Sequence, residues 1–127
     1  MLKRTILLAM VGLAVAATPA LASCHWYAQM KKGSATTSRT LGKCSLRVGH
    51  HHGSVRVTCP SHRSATLTYV FMSTHKIKGQ PRAGIAAWGD AKVGSAVTVS
   101  GSSIHVKVTV SGGAADVAFV SVGYYGD

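Results

Sequence analysis

Two short segments of alternating apolar and polar residues, each containing a cysteine, constrain this chain more than any other feature. They cover residues 44–48 and 55–59, and a glycine- and histidine-rich run of six residues separates them. Alternation with a period of two is typical of a β-strand with one buried face, so the pattern predicts a β-hairpin. If Val48 lies opposite Val55, antiparallel pairing places Cys44 opposite Cys59. Directly opposed residues are close enough for a disulfide, so we predict a Cys44–Cys59 bond.

The three cysteines leave another pairing open, in which Cys24 bonds to one hairpin cysteine and the hairpin register shifts. A slip of one residue would turn Val55 and Val57 toward solvent, so burial of one face favours the first register. That register also places Arg47 directly opposite Arg56 on the outer face. Two like charges at opposed positions destabilise a sheet unless an anion lies between them.

Similar alternation in most of the chain after residue 23 predicts an all-β fold without long helices. The length of 127 residues allows one domain, which we place at residues 23–127. About eight antiparallel strands at this spacing fit a β-sandwich of immunoglobulin-like or jelly-roll-like type, or a small barrel. Besides the two hairpin strands, the expected strands cover residues 26–30, 66–72, 85–88, 96–99, 104–110 and 117–125, with a turn at 111–113 between the last two.

The amino-terminal segment predicts a cleaved export signal over residues 1–22. Lys3 and Arg4 precede an apolar run at residues 6–17, which is too short to span a membrane, and small residues at Ala20 and Ala22 suit a signal peptidase. The mature chain would then be secreted or periplasmic, where disulfides persist. The four residues ending at Cys24 also resemble a bacterial lipobox, so lipid anchoring through Cys24 is the alternative.

Positive charge is concentrated before residue 90. The whole chain has a net charge of +11, and removal of residues 1–22 takes away Lys3 and Arg4 and leaves +9. Residues 23–89 contain ten Lys and Arg and no acidic residue. Such a segment predicts a surface for an anionic polymer or cell-surface component: an acidic polysaccharide, a cell-envelope polymer, an anionic membrane, or nucleic acid bound without sequence specificity. The candidate anion-binding residues are Lys43, Arg47, Arg56, Arg63, Lys76, Lys78 and Arg82.

The scarcity of acidic residues argues against enzymatic activity. Asp90, Asp116 and Asp127 are the only acids, and the chain contains no Glu. A paired-carboxylate glycosidase and an H-E-x-x-H metalloprotease are therefore disfavoured, and no G-x-S-x-G motif for a serine nucleophile occurs. We expect a binding protein that performs no chemistry and needs no cofactor.

Histidines provide an alternative function as a periplasmic or extracellular metal-binding protein. His50, His51 and His52 lie in the predicted hairpin loop, although adjacent histidines on a tight loop splay apart. Cleavage after Ala22 would place His25 third from a free amine, an arrangement that suits copper or nickel, and imidazole also binds zinc. A secreted inhibitor or toxin whose hairpin loop enters a protein target is a further alternative.

Aromatic residues cluster at both ends of the mature chain, at Trp26 and Tyr27 and at Tyr124 and Tyr125. We expect them to pack against the core or at a sheet edge where the two terminal strands pair. An exposed Tyr124–Tyr125 pair, which could stack on a sugar or anchor a partner, is the alternative.

Overall fold

The structure is a computed structural model that describes residues 24–49 and 51–127, so the predicted signal peptide and His50 lie outside the described residues. Seven antiparallel strands form one sheet. The described part contains no helix long and apolar enough to cross a membrane. The all-β prediction is confirmed, with seven strands instead of about eight: β1 (His25–Lys32), β2 (Ser38–Thr40), β3 (Ser45–Val48), β4 (Val55–Met72), β5 (Ile77–Gly89), β6 (Lys92–Ser100) and β7 (Ser103–Gly126).

Strand β7 is the centre of the sheet. Along one edge it pairs first with β4 and then with β1, and along the other edge it pairs first with β6 and then with β5. Strand β4 carries β2 and β3 on its far edge. We call residues 113–126 of β7, together with β1, β3, β5 and residues 55–59 of β4, the carboxyl half of the sheet.

Two pairs of strands that the sequence predicts as separate are continuous in the structure. Residues 55–59 and 66–72 both belong to β4, and residues 104–110 and 117–125 both belong to β7. Gly112 and Gly113 have φ values of 61° and 154°, and residues 60–63 of β4 are irregular at the same level. The two strands pair on both sides of this irregular part: Cys59 lies opposite Gly113 on one side, and Ser64 lies opposite Ser111 on the other. Glycines at positive φ therefore make a bulge here rather than a chain reversal.

The predicted hairpin is confirmed in its register. Val48 lies opposite Val55, Leu46 opposite Val57 and Arg47 opposite Arg56. Cys44 and Cys59 form a disulfide with a Cα–Cα distance of 4.3 Å, and Cys24 lies outside it. A buried disulfide is consistent with an extracellular or periplasmic location.

One hydrophobic core is built from the inward side chains of β4 and β7. β-Branched residues supply most of it, because alternating valines pack well on a pleated surface. Gly33 packs against the backbone of β7 beside this core. The approach is so close that an added Cβ would be 1.8 Å from the Val117 carbonyl oxygen. The Tyr69 hydroxyl, buried in this core, donates a hydrogen bond to the Gly33 carbonyl. Burial raises the pKa of Tyr69 above its ordinary value.

Candidate anion-binding surface

The carboxyl half of the sheet has one face toward the core and one face toward solvent, which we call the outer face. On β7, Val120, Val122 and Tyr124 are buried. Because side chains alternate along a strand, Gly123 and Tyr125 lie on the outer face. The same alternation places residues 26, 28, 30 and 32 of β1 on this face beside them.

Trp26 and Tyr125 form an exposed aromatic pair at one end of the outer face. They are opposed in the β1–β7 register, and their ring centroids lie 4.9 Å apart in an edge-to-face arrangement. The six-membered ring of Trp26 occupies the space above Gly123, since an added Cβ there would lie 2.2 Å from Trp26 Cζ2. Glycine at position 123 therefore lets the indole ring lie over the backbone. Trp26 is 51% exposed and Tyr125 is 53% exposed.

The neighbouring aromatic residues, Tyr27 and Tyr124, point the other way. Tyr124 is buried and lies 5.7 Å from Tyr27, measured between ring centroids. Tyr27 stacks on His75 at 4.0 Å, and Gln29 Nε2 lies 3.3 Å from the Tyr124 hydroxyl. The expected pairing of the terminal strands is confirmed. The alternative of an exposed Tyr124–Tyr125 pair is wrong for Tyr124, because the alternation directs it inward.

A groove of about 470 Å³ lies next to the exposed aromatic pair. Trp26, Gln80, Arg82 and Tyr125 line it. Arg82 is exposed, lies opposite Gly123 across the β5–β7 pairing, and lines the groove together with Trp26.

On the other side of Tyr125, a cavity of about 340 Å³ is lined by Cys24, Lys78, Gly79 and Tyr125. Lys78 Nζ lies 3.6 Å from an Asp127 carboxylate oxygen, and both side chains are well exposed. Lys78 is therefore partly neutralised, whereas the groove beside it contains the positive charge of Arg82.

Arg47 and Arg56 lie at the opposite end of the outer face. Arg56 Nη1 donates a hydrogen bond of 2.9 Å to Asp116 Oδ2, and Asp116 is buried. Asp116 lies directly opposite Arg56 on β7, on the side away from Arg47. The protein thus supplies from its own β7 an anion that relieves the repulsion between the two arginines. The charge of Arg56 is neutralised internally, and Arg47 remains exposed beside it.

The remaining basic candidates lie elsewhere. Lys43 lies in the turn before Cys44, and Lys76 immediately precedes β5. Arg63 lies in the irregular part of β4, where it lines a cavity of about 400 Å³ together with His62 and Lys92. The structure therefore brings the pairs Arg47–Arg56 and Lys78–Arg82 to one face and leaves the other three candidates in turns and at the bulge.

The histidine candidates are not brought together. His51 and His52 lie in the β3–β4 turn, close to Gly53, which packs against Lys32 at the end of β1. His25 lies at the other end of β1, about 23 Å away at the usual strand rise. Among the described residues, which exclude His50, no group of three or more metal-ligating side chains could hold an ion.

All three carboxylates make contacts within the fold. Asp90 Oδ1 accepts a hydrogen bond of 2.8 Å from the Ala114 backbone N–H. Asp116 pairs with Arg56, and Asp127 pairs with Lys78. Of the Lys and Arg side chains in the described part of the chain, only these two lie in ion pairs with carboxylates. The others carry positive charge that the fold does not neutralise.

Comparisons with protein-family models, with curated proteins and with solved structures find no match to this chain.

Proposed function

We propose that this protein is a small secreted binding protein without enzymatic activity, which engages an anionic polymer through its outer face. The observation that carries the proposal is the imbalance of charge. Three carboxylates, all with contacts inside the fold, face twelve Lys and Arg in residues 24–127. Exposed cations without internal partners raise the local concentration of anions and speed their association.

The spacing of the cations favours a polymer over a small anion. Arg47, whose neighbour Arg56 is paired with Asp116, lies level with residue 116 of β7, and Arg82 lies level with Gly123. At the usual rise along a strand, these positions are separated by about 20 Å on one face. That distance exceeds the screening length of about 8 Å at physiological salt, so each end attracts its own anionic group. A chain with repeated negative charges can contact both ends at once.

The proposal includes export. The charged and apolar pattern of residues 1–22 supports translocation, and the Cys44–Cys59 disulfide supports an oxidising destination. Cleavage after Ala22 gives a secreted or periplasmic protein, whereas acylation of Cys24 gives a lipid-anchored one. The intact mass of the exported protein distinguishes these two products.

The test measures binding of the mature chain to heparin as a sulfated polyanion, by calorimetry at increasing salt. We expect affinity to fall steeply with salt. The Arg47→Gln/Arg82→Gln double variant should bind about tenfold more weakly, since exposed ion pairs contribute up to about 1 kcal/mol each. The Arg39→Gln/Lys107→Gln double variant loses the same charge from exposed positions outside the outer face and serves as the control.

Three results would contradict the proposal. Absence of heparin binding at low salt would remove its basis, and salt-insensitive binding would show that charge does not drive it. Equal weakening by both double variants would show that net charge alone matters and that the outer face has no special role.

A further inference from the structure

Packing within the described part of the chain does not explain the exposure of Trp26. The large aromatic residues of the core, Tyr69 and Phe71, are fully buried, whereas half of the Trp26 surface faces solvent. Leaving an indole ring in water forgoes the free energy that burial would provide. Two further apolar side chains, Met30 and Phe119, are also exposed on the outer face. Exposed apolar clusters of this kind mark binding surfaces.

The ring of Trp26 is held in place before any ligand arrives. Gly123 lies beneath the six-membered ring, and Tyr125 contacts it edge-to-face at a centroid distance of 4.9 Å. A ring with these two supports loses little conformational freedom when a ligand covers it. It therefore presents a flat, preformed apolar surface.

Polar groups border this apolar surface. Arg82 and Gln80 line the same groove as Trp26 and Tyr125, and its volume of about 470 Å³ is in the range of small-molecule sites. A guanidinium binds carboxylate and sulfate groups through two parallel hydrogen bonds. The groove thus combines one flat ring, one positive charge and one side-chain amide, whose Nε2 also donates a hydrogen bond of 3.4 Å to the Val97 carbonyl oxygen.

We propose that this groove is a sugar-binding subsite and that the anionic polymer is an acidic polysaccharide. A pyranose ring has a face of C–H groups, which carry partial positive charge and fit the negative face of an indole. Its hydroxyl and acidic groups project at the edge, where Arg82 and Gln80 lie. The inference rests on the proposed function and identifies the chemical class of the polymer.

The rest of the outer face suits further sugar units. Phe119 and Trp88 are exposed, and Trp88 lies opposite Asp116, next to the Arg47–Arg56 end. Phe119 thus lies between the two positive ends of the face, and an exposed indole ring lies beside each end, Trp88 beside Arg56 and Trp26 beside Arg82. A polymer whose units each have an apolar face and a negative group is complementary to this arrangement, whereas a charged chain without rings would contact the ends alone.

The experiment compares three probes: a heparin oligosaccharide, polyphosphate as a polyanion without rings, and single-stranded DNA. Trp26→Ala should weaken heparin binding at least about tenfold and leave polyphosphate binding unchanged. Trp26→Tyr should restore most of the heparin affinity, because it restores an aromatic face. Met72→Ala, which removes another exposed apolar side chain that lies outside the outer face, should bind all probes like the unmodified protein.

A second variant tests the same surface without removing the ring. Gly123→Ala places a methyl group where the Trp26 ring lies, so it should displace the ring and reduce heparin affinity in the same direction. Thermal denaturation of each variant establishes that it is folded before binding is compared.

Several outcomes would overturn the inference. Equal losses for heparin and polyphosphate in Trp26→Ala, or no loss for either, would show that the ring takes no part in recognising sugar. Trp26-dependent binding of single-stranded DNA with Trp26-independent binding of heparin would identify nucleic acid as the ligand. Failure of the proposed function is distinguishable, because the unmodified protein would then bind none of the three probes.

Discussion

Reduction of the Cys44–Cys59 disulfide should lower the free energy of unfolding by about 3 kcal/mol. The bond joins residues 15 positions apart and encloses the whole β3–β4 turn. In the loop-entropy description, cross-linking 15 residues removes about 10 cal/mol/K from the unfolded chain, which is about 3 kcal/mol at 25 °C. Small domains have total stabilities of about 5–15 kcal/mol, so this one bond is a substantial part of the whole.

The assay is equilibrium unfolding in urea, with and without a reductant, followed by far-ultraviolet circular dichroism. A Cys24→Ser background prevents thiol exchange while leaving Cys44 and Cys59 intact, so that reduction changes only the cross-link. For a urea slope of about 1–3 kcal/mol/M, the midpoint should fall by about 1–3 M. The slope itself should rise slightly, because the reduced unfolded chain is less compact.

Two results would refute this reasoning. A loss below about 1 kcal/mol would show that the unfolded chain gains little freedom when the bond opens. Loss of the folded spectrum in the absence of urea would show that the hairpin needs the bond to dock at all, an effect that loop entropy alone does not produce.

Two further predictions concern Gly33 and Tyr69. Gly33→Ala should lower the free energy of unfolding by about 3 kcal/mol or more, because its methyl group would lie 1.8 Å from the Val117 carbonyl oxygen. The control is Gly94→Ala, which has open space at the added Cβ and should change the free energy of unfolding by less than about 0.5 kcal/mol. Thermal denaturation compares the two, and equal effects would contradict the packing argument. The raised pKa of Tyr69 means that above about pH 10 the hydroxyl ionises in the unfolded chain and stays protonated in the fold, so stability should fall by about 1.4 kcal/mol per pH unit. Tyr69→Phe should lack this alkaline loss of stability, which urea unfolding at several pH values above about 10 would measure. If the free energy of unfolding fell equally with pH in both proteins, the burial of the Tyr69 hydroxyl would not be its cause.

The hairpin could be predicted from sequence because several local signals agree there. Alternation fixes which face is buried, and the equal distance of Cys44 and Cys59 from the turn fixes the register. The continuity of β4 and β7 could not be predicted in this way. Gly112 and Gly113 look like a turn in sequence, and they act as a bulge because β4 bulges at the same level, some fifty residues earlier in the chain.

The candidate anion-binding surface could be predicted only in part, because it also depends on contacts between residues that are far apart in the sequence. Basic residues are visible in the sequence, but the pairing of Arg56 with Asp116 joins residues 60 positions apart. The sequence indicates that the aromatic pairs at residues 26–27 and 124–125 meet, yet it does not say which rings face outward. That depends on the register of Trp26 opposite Tyr125, which directs Tyr124 into the core.

The central position of β7 has a consequence for the order in which this protein can fold. Strands β1, β4, β5 and β6 all pair with β7, and the pairing of His25 with Gly126 joins residues about a hundred positions apart. A chain that emerges amino terminus first therefore presents most of its strands before their common partner exists. The pairings of β2 and β3 with β4 do not need β7, but the sheet cannot be completed until residues 103–126 are present. Such a delay is compatible with the proposed export, in which the chain crosses a membrane unfolded, because the topology itself postpones completion of the sheet.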